Sequence, residues 1–257
     1  MNYDVVVNFG CSFMNGDRIR DEDGVSLQSE VVAARLISNK LNCDFVNLAK
    51  TGAANDTIFR RLYNWVESNT EYKNPLMIIG LSGTARFSYF SEHMNRFYNL
   101  HPAHINSYDD KSLEVMNERV TNNFEKPNVL RNWIEYYYKW FYSDEHNDKK
   151  LQQEITFLHH YLKGNKCDYR LHNSLQDSLG SIKSKINYVS FQDEHYQGED
   201  CWYKYLCWQM KEIDKEEFND NVRFRRNQPP WGKRFCDGHP SPNANKELFE
   251  RIYESLK

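Results

Sequence analysis

Short apolar runs alternate with helical patterns over the first 83 residues of the chain. Val5–Phe9 is a β-branched run that ends at Gly10, which is typical of a buried parallel strand. Two later apolar runs predict a second and a third strand, and the stretches between the runs place apolar side chains at helical spacing. We therefore expect two strand–helix–strand crossovers and a parallel sheet. The predicted strands are 5–9, 44–49 and 76–81, and the predicted helices are 26–41, with Ser26 as its N-cap, and 55–66.

The pattern changes in the middle of the chain, from about residue 88 to residue 163. This stretch is polar, rich in aromatic residues and mostly helical in its periodicity. An insertion that caps one edge of the sheet is the most economical interpretation, within a single domain of residues 1–257. The pattern predicts helices at 128–142, 144–162, 201–213 and 242–256, strands at 169–173 and 186–191, an irregular segment at 99–126 and a basic loop at 219–233.

Composition and charge narrow the classes of function. Lysine and arginine number 33 and aspartate and glutamate 36, so the formal charge is 33 − 36 = −3. That balance argues against charge-driven binding to nucleic acid or to an anionic membrane. No stretch approaches the ~20 apolar residues of a membrane helix, and the first residues lack a basic signal-peptide region. We expect a cytoplasmic protein.

The six cysteines are scattered and form no C-x-x-C pair. A zinc site is therefore not expected, and buried, reduced thiols are the simpler interpretation. The histidines likewise show no spacing typical of metal ligands. We expect no metal ion and no organic cofactor.

Candidate functional residues follow the predicted strands. In open parallel sheets, functional side chains gather beyond the carboxyl ends of the strands. A serine, Ser12, follows the first strand; a glycine and an amide, Gly52 and Asn55, follow the second; an aspartate and a histidine, Asp237 and His239, come late. A nucleophile, a set of oxyanion donors and a base are what acyl transfer requires.

The order of these residues resembles the SGNH hydrolases, also called GDSL esterases and lipases. Gly10-Cys11-Ser12 is similar to their first block, with Cys11 in place of the aspartate. Gly52 in NLAKTGAAND matches the glycine of their second block. Asp237-Gly238-His239-Pro240 is similar to their Asp-x-x-His-Pro block but one residue shorter. The resemblance covers about residues 4–86 and 236–256 and is strongest for the SGNH-like proteins of bacteriophages.

The resemblance implies a flavodoxin-like, three-layer α/β/α fold with a central parallel sheet and a largely helical insertion. It also implies that Ser12 is the nucleophile, that His239 is the base and that Asp237 orients it. The backbone N–H groups of Ser12 and Gly52 would form part of the oxyanion hole. The asparagine of the family's third block is absent from Gly80-Leu81-Ser82-Gly83, so its donor would come from Asn55 or Ser82.

Two side chains near these motifs have alternative interpretations. Cys11 could itself be a nucleophile, but alternate residues of an extended segment face opposite ways, so we expect it to be buried. Arg86, just after the third strand, could bind an anionic group of the substrate. A surface ion pair explains Arg86 equally well.

Three functions from different classes fit the sequence. The first is a serine esterase acting on a small or carbohydrate-linked ester. The second is a degenerate SGNH-like domain that binds a glycan or a nucleotide without turnover, favoured by the missing asparagine. The third is a phage assembly protein whose aromatic middle forms a contact between subunits of a homo-oligomer. No nucleic-acid polymer and no membrane is expected as a partner of any of them.

Overall fold

The computed structural model describes residues 2–21, 23, 25–92, 95–100, 129–213, 235–236 and 239–257. Its elements are numbered here in chain order. The strands are β1 (Val5–Phe9), β2 (Asp44–Asn47), β3 (Pro75–Leu81), β4 (Phe87–Ser91), β5 (Arg96–Leu100), β6 (Asp168–Asn173), β7 (Phe235–Cys236) and β8 (His239–Pro240). The helices are α1 (Ser12–Asn15), α2 (Ala33–Leu41), α3 (Asn55–Ser68), α4 (Val129–Trp140), α5 (Asp144–Gly164), α6 (Trp202–Trp208) and α7 (Pro242–Glu254).

A four-stranded parallel sheet forms the centre of the fold. Its strand order is β2-β1-β3-β6, and every neighbouring pair is parallel. Every residue of β1 and of β3 is buried, so both faces of the sheet are covered. The fold is therefore α/β, as the sequence predicts, with β1 and β3 in the middle and their carboxyl ends beside each other.

The helices pack in pairs around this sheet. Helix α2 packs against α7, and α3 meets α5 through Tyr63 and Tyr161, whose ring centroids are 4.8 Å apart. Helix α5 belongs to the main core because four apolar side chains at helical spacing are buried there. These side chains are Leu151, Ile155, Leu158 and Leu162.

Helix α2 begins later than the sequence predicts. It starts at Ala33 after an extended Val32 without a side-chain cap, so the prediction of Ser26 as N-cap is wrong. Ser26 instead forms an antiparallel bridge with Arg20, and the Leu27 N–H donates to the Ile19 carbonyl at 3.0 Å. Tertiary backbone pairing therefore replaces the first turns of the predicted helix.

The predicted strand at 186–191 is also wrong. The backbone of this segment pairs with β6 at a single isolated parallel bridge, between Leu171 and Tyr188. Beyond it, the carboxylate of Asp200 accepts hydrogen bonds from the Phe191 N–H at 2.7 Å and from the Ser190 hydroxyl at 2.9 Å. The first of these bonds occupies the Phe191 N–H, a backbone donor that a longer ladder would need.

The β4–β5 hairpin was not predicted, because we read this part of the chain as helical or irregular. Two aromatic-rich runs, FSYFS and RFYNL, flank the four residues 92–95. Aromatic residues favour strands, and a four-residue connection is common in hairpins. That signal is visible in the sequence.

The other predicted helices and strands are confirmed within small shifts of their ends, except that helix 201–213 divides into α6 and a π-helical turn, Gln209–Ile213. Most of the predicted irregular segment 99–126 and the whole loop 219–233 lie outside the described residues. Within the part of the chain that the structure describes, no helix is both long and apolar enough to cross a membrane.

Candidate active site

Ser12 lies immediately beyond the carboxyl end of β1, as the first residue of the short helix α1. The preceding Cys11 has an extended conformation and is fully buried, which confirms its expected burial. The turn is tight because a side chain packs where two glycines leave room. A Cβ at Gly10 would lie 2.3 Å from Met14 Cγ, and a Cβ at Gly80 would lie 2.4 Å from the same atom. Met14 thus fixes α1, and with it Ser12, against β1 and β3.

The turn that carries Gly52 is joined to the same strand end. The Lys50 N–H donates to the Gly10 carbonyl at 2.9 Å, and the Ala53 N–H closes the turn onto the Lys50 carbonyl at 3.0 Å. Gly52 has a φ of +72°, which favours glycine. A Cβ there would meet nothing within 4 Å, so the glycine is required for its backbone conformation and borders open space.

A cluster of polar side chains connects the Ser12 turn to the Gly52 turn. Its centre is the buried carboxylate of Asp17. This group accepts hydrogen bonds from Asn15 Nδ2 at 2.7 Å, from Gln28 Nε2 at 2.8 Å and from the hydroxyl of Thr51. Since Asp17 follows α1 and Thr51 precedes Gly52, the carboxylate joins the two turns.

Asparagine side chains extend this cluster into the sheet. Asn8, on β1, donates from Nδ2 to the Met14 carbonyl at 2.7 Å and to Asn47 Oδ1 at 2.9 Å. Asn47 Nδ2 in turn donates to Asn15 Oδ1 at 3.4 Å. Our sequence analysis overlooked these residues, although an asparagine within the apolar run VVVNF is a visible signal. The Asp17 cluster is defined here as Asn8, Asn15, Asp17, Gln28, Asn47 and Thr51.

Asn55 and Ser82 lie together, and the contact occupies most of the Asn55 amide. Asn55 begins α3, whereas Ser82 follows β3. The Ser82 N–H donates to Asn55 Oδ1 at 2.8 Å, and Asn55 Nδ2 donates to the Ser82 carbonyl at 3.1 Å. An amide nitrogen has two hydrogens, so one donor of Asn55 remains. The Ser82 hydroxyl is buried without a hydrogen-bond partner.

His239 is brought to the Ser12 turn from the other end of the chain. It lies in β8, paired with Cys236 of β7, and its ring centroid is 5.9 Å from that of Phe13, the residue after Ser12. Its extended conformation is the one that a following proline, Pro240, favours. Its predicted partner Asp237 lies outside the described residues.

The residues after His239 hold it in register. Ser241 is the N-cap of α7, and its hydroxyl accepts from the Ala244 N–H at 3.2 Å. Asn245 Nδ2 donates to the carbonyls of Pro240 and Ser241, at 3.3 and 3.1 Å, while its Oδ1 accepts from the Ala33 N–H at 3.3 Å. The end of β8 is therefore anchored to α2.

A second histidine near the strand ends does not suit the role of base. His172, on β6, pairs in register with Gly80. It is fully buried among the rings of Phe191 and Trp202, and this burial lowers its pKa to about 3. A histidine that is enclosed in the core cannot reach a substrate, whereas His239 is half-buried and lies against Phe13, the residue after Ser12.

Arg86 lines a polar pocket beyond β3, between α3, α5 and the start of β4. The pocket has a volume of about 60 Å³, and Asn55 is one of its walls. The Nη1 atom of Arg86 is buried and has no hydrogen-bond partner among the residues that the structure describes. The Arg86 pocket is defined here by Asn55, Asp56, Arg86, Tyr137, Lys150 and Glu154.

No protein-family model matches the chain, and no curated protein matches it either. Comparison with solved structures finds the psychrotrophic esterase EstA from Pseudoalteromonas sp., at 12% identity and a TM-score of 0.46, over 98% of this chain and 96% of that chain. TesA has 12% identity and a TM-score of 0.46, over 98% of each chain. A member of the lipolytic protein G-D-S-L family from Veillonella parvula has 8% identity and a TM-score of 0.44, over 97% of this chain and 96% of that chain.

Proposed function

We propose that this chain is a serine hydrolase that removes an acyl group from a small or carbohydrate-linked ester. Ser12 is the nucleophile, His239 the general base and Asp237 the residue that orients it. One observation carries the proposal: the half-buried His239 packs against Phe13, directly beside the serine that begins the turn after β1. A base and a hydroxyl brought together at a strand end form the core of an acyl-transfer site.

The reaction proceeds in two steps with a covalent intermediate. The Ser12 oxygen attacks the ester carbonyl while His239 accepts the hydroxyl proton, and the alcohol leaves with that proton. Water then attacks the acyl-serine, again with His239 as base, and releases the acid and the free Ser12 hydroxyl. Asp237 stabilises the protonated imidazole and fixes the tautomer that presents Nε2 to the serine. The steps need no cofactor.

The negative charge that develops on the carbonyl oxygen requires donors. We assign the backbone N–H groups of Ser12 and Gly52 and the remaining Nδ2 hydrogen of Asn55. Support comes from the anchoring of the Gly52 turn to the Gly10 carbonyl and from the open space at Gly52. Ser82 is the alternative third donor, because its buried hydroxyl has no partner.

Labelling with a fluorophosphonate probe tests the assignment of the nucleophile. The Ser12→Ala variant should lose all labelling and all ester hydrolysis, because no other hydroxyl takes its place. Cys11→Ala is the matched control, since it removes the adjacent, fully buried side chain and should keep most of both signals. A folded Cys11→Ala variant without activity, beside an active Ser12→Ala variant, would show that the assignment is wrong.

Binding without turnover is the second candidate function. The observation that favours it is the pairing of Asn55 with the Ser82 backbone, which leaves the site only one side-chain amide hydrogen there. In that case the wild-type protein would not react with the probe, yet it would bind a glycan or nucleotide in an array or by calorimetry. Labelling of the wild-type protein at Ser12 would exclude this candidate.

Exposed aromatic side chains favour an assembly role as a third candidate. Tyr136, Trp140 and Phe141, at the end of α4, are 59, 63 and 69% exposed. Exposed apolar patches often mark contacts between proteins, and a homo-oligomer of a phage-encoded protein would use them in this way. Sedimentation analysis of the wild-type protein and of Trp140→Ser tests the contact, and a wild-type monomer at high concentration would contradict it.

A further inference from the structure

The charges in the Arg86 pocket are unevenly matched. Lys150 Nζ lies 3.7 Å from Glu154 Oε1, and Asp56 Oδ2 accepts from the Ser88 N–H at 3.5 Å. Arg86 Nη1, in contrast, is buried and has no hydrogen-bond acceptor. A buried donor without an acceptor is unfavourable, and more so when it belongs to a charged group. The unpaired group in this pocket is therefore a cationic donor.

The carboxylates of the pocket do not neutralise Arg86. Burial raises the pKa of Glu154, which Lys150 opposes and the carboxylate of Asp56 reinforces. Among the described residues, no carboxylate lies within 4 Å of the Arg86 guanidinium. A cationic ligand would leave Nη1 without an acceptor, whereas an anionic oxygen would supply one in the bidentate geometry that guanidinium groups favour.

The pocket shares one residue, Asn55, with the proposed oxyanion hole. Asn55 forms part of the pocket wall and also holds the Ser82 backbone at the end of β3. A substrate whose ester lies at Ser12 could therefore extend an ionised group past Asn55. Tyr137 and Phe87 supply aromatic surface beside this path, on which the rest of such a ligand can pack.

We propose that the Arg86 pocket is an anion subsite and that the preferred substrate carries an ionised acidic group besides its ester. This inference rests on the proposed function, because it uses the same site. The group that binds in the pocket is an anionic oxygen, carried by either the acyl part or the alcohol part of the ester. Arg86 is the group that binds it, whereas Lys150 is paired with Glu154.

Matched ester pairs test the subsite. The first pair places the charge on the alcohol part: the acetate ester of 3-hydroxybenzoate against that of methyl 3-hydroxybenzoate. The second places it on the acyl part: monophenyl adipate against phenyl hexanoate. Arg86→Gln should raise KM at least tenfold for the anionic member of one pair, since hydrogen bonds to charged groups contribute about 1.5–3 kcal/mol. It should leave the neutral member unchanged, and Arg86→Lys should restore part of the loss.

Lys149→Gln is the control for net charge. Lys149 is exposed, pairs with Glu145 at 2.6 Å and lies next to Lys150 in the chain, but it does not line the pocket. It should leave KM unchanged for all four esters. Equal KM values in the wild-type protein and in Arg86→Gln, or an equal rise for the neutral esters, would overturn the anion subsite.

A binding measurement separates failure of this inference from failure of the proposed function. The unreactive amide analogues 3-acetamidobenzoate and N-phenyladipamate are titrated calorimetrically into the Ser12→Ala protein and into the Ser12→Ala/Arg86→Gln double variant. Binding of at least one analogue that Arg86→Gln abolishes supports the subsite, even if no ester is hydrolysed. Ester hydrolysis that depends on Ser12 but not on Arg86, without such binding, would leave the proposed function intact and overturn the subsite.

Discussion

The Asp17 cluster and the Arg86 pocket lie at the carboxyl ends of the same parallel sheet, yet their charged groups are bound differently. The Asp17 carboxylate accepts hydrogen bonds from three side chains. Arg86 Nη1, by contrast, has no hydrogen-bond acceptor among the described residues. A buried charge with several partners holds its surroundings in place, whereas a cationic donor without an acceptor is suited to bind a ligand. Under the proposed function, the Asp17 cluster positions the reacting groups and the Arg86 pocket selects the substrate.

Asn55 lines the Arg86 pocket and is also a proposed donor of the oxyanion hole. Its removal should therefore have the largest effect. Asn55→Ala should lower kcat about 100- to 1000-fold, with little change in KM, if the amide is an oxyanion donor. The variant should also unfold more easily, by about 1–3 kcal/mol, because the buried Ser82 N–H loses its acceptor. Steady-state kinetics and urea unfolding in one buffer separate these effects. A folded variant with kcat within tenfold of wild type would remove Asn55 from the oxyanion hole.

Loss of the Asp17 carboxylate should disturb the positions of the Ser12 and Gly52 turns. Asp17→Ala should lower the free energy of unfolding by about 2 kcal/mol, since it leaves three side-chain donors without their shared acceptor. It should lower kcat for neutral and anionic esters by the same factor, because it loosens the Ser12 and Gly52 turns and not the Arg86 pocket. A loss of kcat confined to anionic esters would contradict the division of roles between the Asp17 cluster and the Arg86 pocket.

Gly52→Ala should have a smaller effect. A φ of +72° disfavours side chains by roughly 1–2 kcal/mol, but a Cβ there meets no atom within 4 Å. The substitution also keeps the N–H assigned to the oxyanion hole. We expect a fall of about 1 kcal/mol in the free energy of unfolding, measured by thermal or urea denaturation, and kcat within tenfold of wild type. A much larger loss of kcat would mean that the turn changes conformation.

Ser82→Ala should have the smallest effect of the four. The Ser82 hydroxyl is buried without a partner, so its removal should leave stability unchanged or slightly higher. Its backbone pairing with Asn55 stays intact, and kcat should change less than tenfold. If kinetics instead showed a loss near 100-fold here and a mild one for Asn55→Ala, the third oxyanion donor would be Ser82.

The sequence by itself determined the framework of this protein. A β-branched run such as Val5–Phe9 is typical of a strand that is buried on both faces of a sheet, and such a run can be recognised from the local sequence alone. Pro242 after Ser241 likewise fixes the start of α7, because capping depends on neighbouring residues. Ser12 and Gly52 follow strands in a parallel sheet, so their placement at one edge could also be predicted.

Only the tertiary structure decided which polar groups find partners. The Asp17 cluster joins residues up to 43 positions apart, from Asn8 to Thr51, and no local pattern encodes such contacts. The pairing of Asn55 with the Ser82 backbone and the missing acceptor of Arg86 depend in the same way on packing between α3, β3 and α5. Hydrogen bonding is directional and short-ranged, so it is settled only when the elements have been brought together.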